Sequence, residues 1–125
     1  MSVRVLVLDD DQRVLTLLRT YFGGLGWEVE TCADAATALR LADSETPFDA
    51  VICDLHFTPA HRAEGLEIVA RARERRPRAA VLLLTAAPDT DSARAALSRG
   101  ADEVIAKPAP LASLRDAALR AMNKP

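Results

Sequence analysis

Residues 3–12, VRVLVLDDDQ, set an apolar run of strand length directly against three consecutive carboxylates. Val5, Leu6, Val7 and Leu8 are continuous rather than alternating, the pattern of a strand buried on both faces, and such strands belong to parallel sheets covered by helices. Val14, Leu18, Tyr21, Phe22 and Leu25 then fall at helical spacing. One strand followed by one helix is the unit from which the rest of the chain is built.

The same alternation recurs four more times. A second strand is predicted over residues 27–32, with a helix carrying Ala35, Ala38, Leu39 and Ala42 on one face; a third strand covers 49–54. After a polar loop, Gly65, Ile68, Val69 and Ala72 mark the inner face of a helix stopped by Pro77. Residues 80–85 make a fourth strand, 91–99 a helix closed by Gly100, 103–106 a short fifth strand, and Leu111, Leu114, Ala118 and Met122 line a last helix. Parallel neighbours need long right-handed crossovers, and helices supply them, so the expected fold class is α/β: a doubly wound, five-stranded parallel sheet with five helices.

The chain has 125 residues, which suits a single domain over residues 1–125 with one core. Half of it is hydrophobic, and 24 alanines account for much of that, suiting close helix-on-sheet contact. Sixteen basic against eighteen acidic residues give a net charge of -2, which disfavours nucleic acid as a direct partner. Arg71, Arg73, Arg75, Arg76 and Arg78 form a local basic cluster, expected to be a solvated helix face. Cys32 and Cys53 have no metal-ligand spacing and are expected to be buried free thiols. No leader pattern or membrane-length apolar run is present, so a cytoplasmic chain with no membrane partner is expected.

In an open parallel sheet, ligands bind beyond the carboxyl ends of the strands. The first strand delivers Asp9, Asp10 and Asp11 there, the third Asp54, the fourth Thr85, and the fifth Lys107 and Pro108. Each has an ordinary explanation alone, such as Asp11 capping the first helix. Together they bring carboxylates that repel by about 1 kcal/mol per pair at 4 Å in water and about 4 at a dielectric of 20. A divalent cation with oxygen ligands, Mg2+ rather than zinc, relieves that repulsion. Asp54 is then placed as a nucleophile toward a phosphoryl group, with the Thr85 hydroxyl and the Lys107 ammonium meeting the remaining phosphoryl oxygens.

Four motifs, VLVLDDD, AVICDL, LLLTA and ADEVIAKP, occur in this order, and along essentially its whole length the chain resembles the response-regulator receiver domains of two-component signalling. That resemblance implies a flavodoxin-like sheet in the order 2-1-3-4-5. It implies that Asp9 and Asp10 hold Mg2+, with Asp10 favoured as direct ligand and Asp9 acting through water or orientation. Asp54 matches the phosphoacceptor, the backbone carbonyl of His56 the group completing metal coordination, Thr85 the hydroxyl that bonds the phosphoryl group, and Lys107 its ion-pair partner. Pro108 follows in a bond the family often holds cis. The implied donor is a phosphohistidine on a sensor histidine kinase or phosphotransfer protein. The chain would catalyse only its own phosphorylation and dephosphorylation, and its output surface, which also allows a homodimer, would be built by helix four, strand five and helix five.

Two features depart from the family pattern. Val104 stands on strand five where an aromatic is usual, so an aromatic in-and-out switch cannot operate. The loop after Asp54, LHFTPAHRAEG, is longer than usual, reaching Pro59 and Gly65 late; His56 and His61 lie in it without a third ligand for a second metal site. His56 and Ala87 flank the expected water path. Two competing functions are a pseudo-receiver that binds without being phosphorylated, and a Mg2+-dependent phosphohydrolase using the D-x-D of LVLDDDQ. The second lacks a later paired-aspartate motif and room for a cap domain. Gly23, Gly24 and Gly26 follow the first helix instead of preceding it, so no dinucleotide cradle is predicted.

Overall fold

The computed structural model describes residues 2–54 and 62–124. Its elements are β1 (Arg4–Leu8), α1 (Gln12–Gly24), β2 (Glu28–Cys32), α2 (Ala35–Ala42), β3 (Ala50–Asp54), α3 (Arg62–Arg75), β4 (Ala80–Thr85), α4 (Asp91–Ser98), β5 (Glu103–Ala106) and α5 (Leu111–Met122). The strands form one parallel sheet in the order β2-β1-β3-β4-β5, as expected. Registers such as Leu8 opposite Cys53, Asp54 opposite Leu84 and Thr85 opposite Ala106 align the carboxyl ends of the inner strands along one edge.

Side-chain alternation divides the core into two layers. Leu6, Leu8, Val51, Cys53, Val81 and Leu83 pack against α2, α3 and α4 through residues such as Ala38, Ile68 and Ala96. Val5, Val7, Ile52, Leu82 and Leu84 face α1 and α5, meeting Leu18, Phe22, Leu114 and Ala118. Phe22 closes that layer by stacking on Trp27, with centroids 4.9 Å apart, and meets Tyr21 edge-on at 5.3 Å. Edge strands β2 and β5 are partly exposed and carry Glu28, Glu30 and Glu103, charges that discourage further strand pairing.

Helix starts follow side-chain chemistry. Asp11, Asp34 and Thr90 are the N-caps of α1, α2 and α4, accepting from the backbone N–H of Arg13, Thr37 and Ala93. Asp11 thus has the ordinary capping role weighed for it. Gly100 ends α4 with φ +122, and a Cβ there would lie 2.5 Å from Arg73 Cγ, so both backbone and space demand glycine.

The arginine cluster is not simply a solvated face. Arg76 is only 8% exposed. Its guanidinium donates to the carbonyls of Leu41, Ala42, Ser44 and Thr46 at 2.6–3.1 Å, closing the C-terminal end of α2, while it also lies 5.1 Å from the Phe48 ring centroid. Arg73 donates to the carbonyls of Arg76, Pro77, Ala79 and Gly100 and pairs with Asp102 at 2.6 Å. Helical periodicity places these side chains at the end of α3, where Gly100, the end of α2 and the chain turning at Pro77 bring backbone carbonyls within their reach. Arg71 and Arg75 do conform to expectation, pairing with surface acids.

Cys32 and Cys53 are both buried free thiols. Burial raises the pKa of each, and for Cys53 the nearby Asp54 and Asp9 charges add to the effect, pushing it up to about 12. The thiolate is the reactive form, so at about pH 8 the folded protein is expected to resist iodoacetamide at both positions, while the urea-unfolded chain takes up two labels. Rapid native labelling, read by intact mass, would contradict the burial.

Candidate functional site

The carboxyl ends of β1 and β3 meet in one acidic pocket. β1 stops at Leu8, leaving Asp9 buried and Asp10 exposed, and β3 ends in Asp54, which is 5% exposed. One carboxylate oxygen from each of Asp9, Asp10 and Asp54 lies within 4.8 Å of the others, the one such group that could hold a metal among the described residues. The backbone N–H of Asp11 donates to Asp9 Oδ1 at 2.9 Å, fixing that carboxylate at the start of α1. Burial raises the Asp9 pKa; the Asp11 N–H opposes this, Asp54 pushes it up, Lys107 pulls it back, and Asp10 pushes it up again.

Lys107 reaches over from the end of β5 and donates from Nζ to Asp54 Oδ2 at 2.6 Å. The lysine is partly open to solvent while the aspartate is not. Three carboxylates and one ammonium leave a formal charge of -2, which one divalent cation balances. The hard, all-oxygen donor set suits Mg2+ or Ca2+. The Lys107–Pro108 peptide bond is cis, in line with the family expectation.

Thr85 is fully buried at the end of β4, where its carbonyl accepts from the Lys107 N–H at 2.8 Å and its Oγ1 accepts from the Ala87 N–H at 3.0 Å. Asp9, Asp10, Asp54, Thr85 and Lys107 therefore share one sheet edge as the sequence predicts. The His56 carbonyl, with His61 and most of the long loop, falls outside the described residues. An open, mainly apolar cleft of about 490 Å3 runs from Asp9 and Lys107 between Leu17 and Leu18 of α1 and Leu111 and Leu114 of α5. A larger cleft of about 580 Å3 lies at the opposite end of the sheet, around Phe48 and Pro77, away from the carboxylates.

The family model described as the response regulator receiver domain matches residues 5–119. The chain belongs to the response regulator receiver domain family. It is a receiver domain of the kind found in the response regulators of two-component systems. It is 36% identical over 127 aligned positions to the response regulator MprA of Mycobacterium bovis (strain BCG / Pasteur 1173P2), covering all of this chain and 54% of that protein, so it spans about half the length of the curated relatives it matches. The receiver domain also superposes on a solved response regulator receiver domain from Methanospirillum hungatei JF-1 with TM-score 0.86 and 25% identity, covering 98% of this chain and 95% of that one. A response regulator from Burkholderia pseudomallei, whose crystal structure has a phosphorylated aspartic acid, a calcium ion and citrate, matches with TM-score 0.82 and 29% identity over 94% of this chain and 66% of that one. No helix among the described residues is long and apolar enough to cross a membrane.

Proposed function

We propose that this receiver domain is a phosphorylation-dependent switch in which Asp54 accepts a phosphoryl group from a phosphohistidine on a sensor histidine kinase or phosphotransfer protein. The observation that carries this is the Asp54 carboxylate itself, nearly buried, paired to Lys107 at 2.6 Å and clustered with Asp9 and Asp10. The phosphorylated aspartic acid and calcium ion of the Burkholderia pseudomallei regulator support the same chemistry here.

In the transfer, a carboxylate oxygen of Asp54 forms a bond to phosphorus as the phosphorus–nitrogen bond to the donor imidazole breaks and the imidazole leaves with the electron pair. Asp9, Asp10 and Asp54 fit Mg2+, which when bound offsets negative charge on the carboxylates and the incoming phosphoryl oxygens. The Lys107 ammonium balances one unit of that charge and orients Asp54, and the Thr85 hydroxyl supplies a donor to the product. The phosphoryl group adds about -1.5 to -2 charges and strong acceptor oxygens, enough to bias α4 and β5 beside the site. The chain catalyses only its own phosphorylation and dephosphorylation, acts in the cytoplasm, and presents α4, β5 and α5 to its partner, a second copy included, with no direct nucleic-acid binding by these residues.

The test is incubation with acetyl phosphate and Mg2+, followed by mapping of the modified residue. Modification at Asp54 is expected; turnover of soluble phosphoesters without a stable mark at Asp54 would favour a hydrolase instead. A second measurement addresses the cation. At a tenfold excess over Kd, Mg2+ is expected to stabilise the fold by about 1.4 kcal/mol. That corresponds to a rise in Tm of about 3–6 °C. Asp10→Ala should remove the shift, and an equal shift in that variant would count against the assigned ligands.

A further inference from the structure

We propose that Thr90 is a positioning residue that couples the Thr85 hydroxyl to the first turn of α4, giving this receiver a readout independent of an aromatic on β5. The coupling rests on Asp54 being the phosphoacceptor. It goes beyond that assignment by naming the residue that transmits the change.

Three consecutive hydrogen bonds link the two threonines. The Ala87 N–H donates to Thr85 Oγ1 at 3.0 Å, the Thr90 hydroxyl donates to the Ala87 carbonyl at 3.1 Å, and the Ala93 N–H donates to Thr90 Oγ1 at 3.2 Å. Ala87 contributes both a donor and an acceptor, so its backbone follows the Thr85 hydroxyl at one end and holds the Thr90 hydroxyl at the other. Thr90 in turn is the N-cap of α4, with extended backbone angles φ -89 and ψ 162. Bonds in series through shared groups respond together, because reorienting one donor changes what its neighbour can reach.

Position in the fold gives this series its direction. Thr85 alternates with Val81 and Leu83, which face the layer containing α4. Val104 packs against that same layer as a compact aliphatic residue. It cannot hold an aromatic ring in either of two positions, so the polar connection through Ala87 and Thr90 is the described route from the β4 end to α4. A phosphoryl oxygen at Asp54 draws the Thr85 hydroxyl toward itself; the Ala87 peptide moves with it, and the cap that Thr90 provides is altered.

Two substitutions separate this relay from simple helix capping. Thr90→Val keeps the branched shape and deletes both side-chain bonds, whereas Thr90→Ser keeps the hydroxyl. Each protein is phosphorylated with acetyl phosphate and Mg2+, and amide exchange at Ala93 and Arg94 is measured with and without the phosphoryl group. In the parent and in Thr90→Ser, phosphorylation is expected to change exchange by about fivefold, the effect of an ordinary N-cap. In Thr90→Val, Asp54 should still be labelled, but the difference between the two states at Ala93 and Arg94 should vanish. A merely structural cap would shift exchange equally in both states and leave that difference intact, which would overturn the relay, as would a failure of Thr90→Ser to preserve the response. Absence of labelling at Asp54 in the parent would instead overturn the phosphoacceptor assignment, and the relay with it.

Discussion

Asp54→Asn is expected to abolish incorporation of a phosphoryl group from acetyl phosphate while leaving the protein folded. Asparagine keeps the shape of the side chain at the end of β3 but replaces the nucleophilic carboxylate with a weakly nucleophilic amide. Lys107 loses its ion-pair partner at 2.6 Å, yet its ammonium is partly exposed and regains water. Intact-mass measurement reads the loss directly, and circular dichroism checks the fold. Labelling at undiminished stoichiometry would remove Asp54 from its proposed role. Lys107→Met provides the complementary case: the acidic cluster loses its cation and its formal charge falls from -2 to -3, so phosphorylation is expected to slow even though the nucleophile remains.

The largest stability effect is expected far from that site, at Arg76. Arg76→Met retains much of the apolar stem but strips donors from the carbonyls of Leu41, Ala42, Ser44 and Thr46. A buried acceptor left without a partner costs about 1–3 kcal/mol. Leu41 keeps the Ser44 hydroxyl and N–H and Thr46 keeps the Phe48 N–H, so the loss falls on the Ala42 and Ser44 carbonyls; removing a buried cation also relieves its desolvation, which limits the net loss to about 3 kcal/mol. For a chain of this size that lowers Tm by about 10 °C. Urea unfolding should show the midpoint falling with little change in slope. Arg76→Lys should recover little, because one ammonium cannot reproduce the spread of a planar guanidinium over separate carbonyls. A loss below about 1 kcal/mol in Arg76→Met would show that water replaces these donors.

Most of the chain announces its fold because apolar runs and helical spacing are local. β1, β3 and β4 are marked by the continuous hydrophobic stretches that a sheet covered on both faces requires. The placement of the candidate site is similarly legible because the carboxyl ends of parallel strands must share an edge, so Asp9, Asp54, Thr85 and Lys107 come to that edge once their strands are placed. Small boundary differences have physical causes: Trp27 precedes β2 because its ring stacks on Phe22 at the end of α1, while its own N–H donates to the Phe22 carbonyl. Arg73 and Arg76 were less visible. Their helical phase marks an outer face, but nothing local shows that α2 ends without a glycine cap and leaves carbonyls for a remote arginine to satisfy. Thr90 carried a usable signal, a threonine at the head of TDSA, but its connection to Thr85 depends on the path of the intervening loop.

The two packing layers give the proposed switch an unusual freedom. Asp9 and Lys107 border the cleft beside α1 and α5, while Thr85 shares the opposite face of the sheet with Val81 and Leu83, toward α4. In the proposed switch the phosphoryl group is received beside the α1 and α5 cleft, and Thr85 carries its effect through the sheet to the α4 side. Residues of α1 outside the Thr85–Thr90 series can change without altering the α4 cap directly. Changes at the Thr90 cap of α4, by contrast, act back on Thr85, because a coupling between two sites is reciprocal.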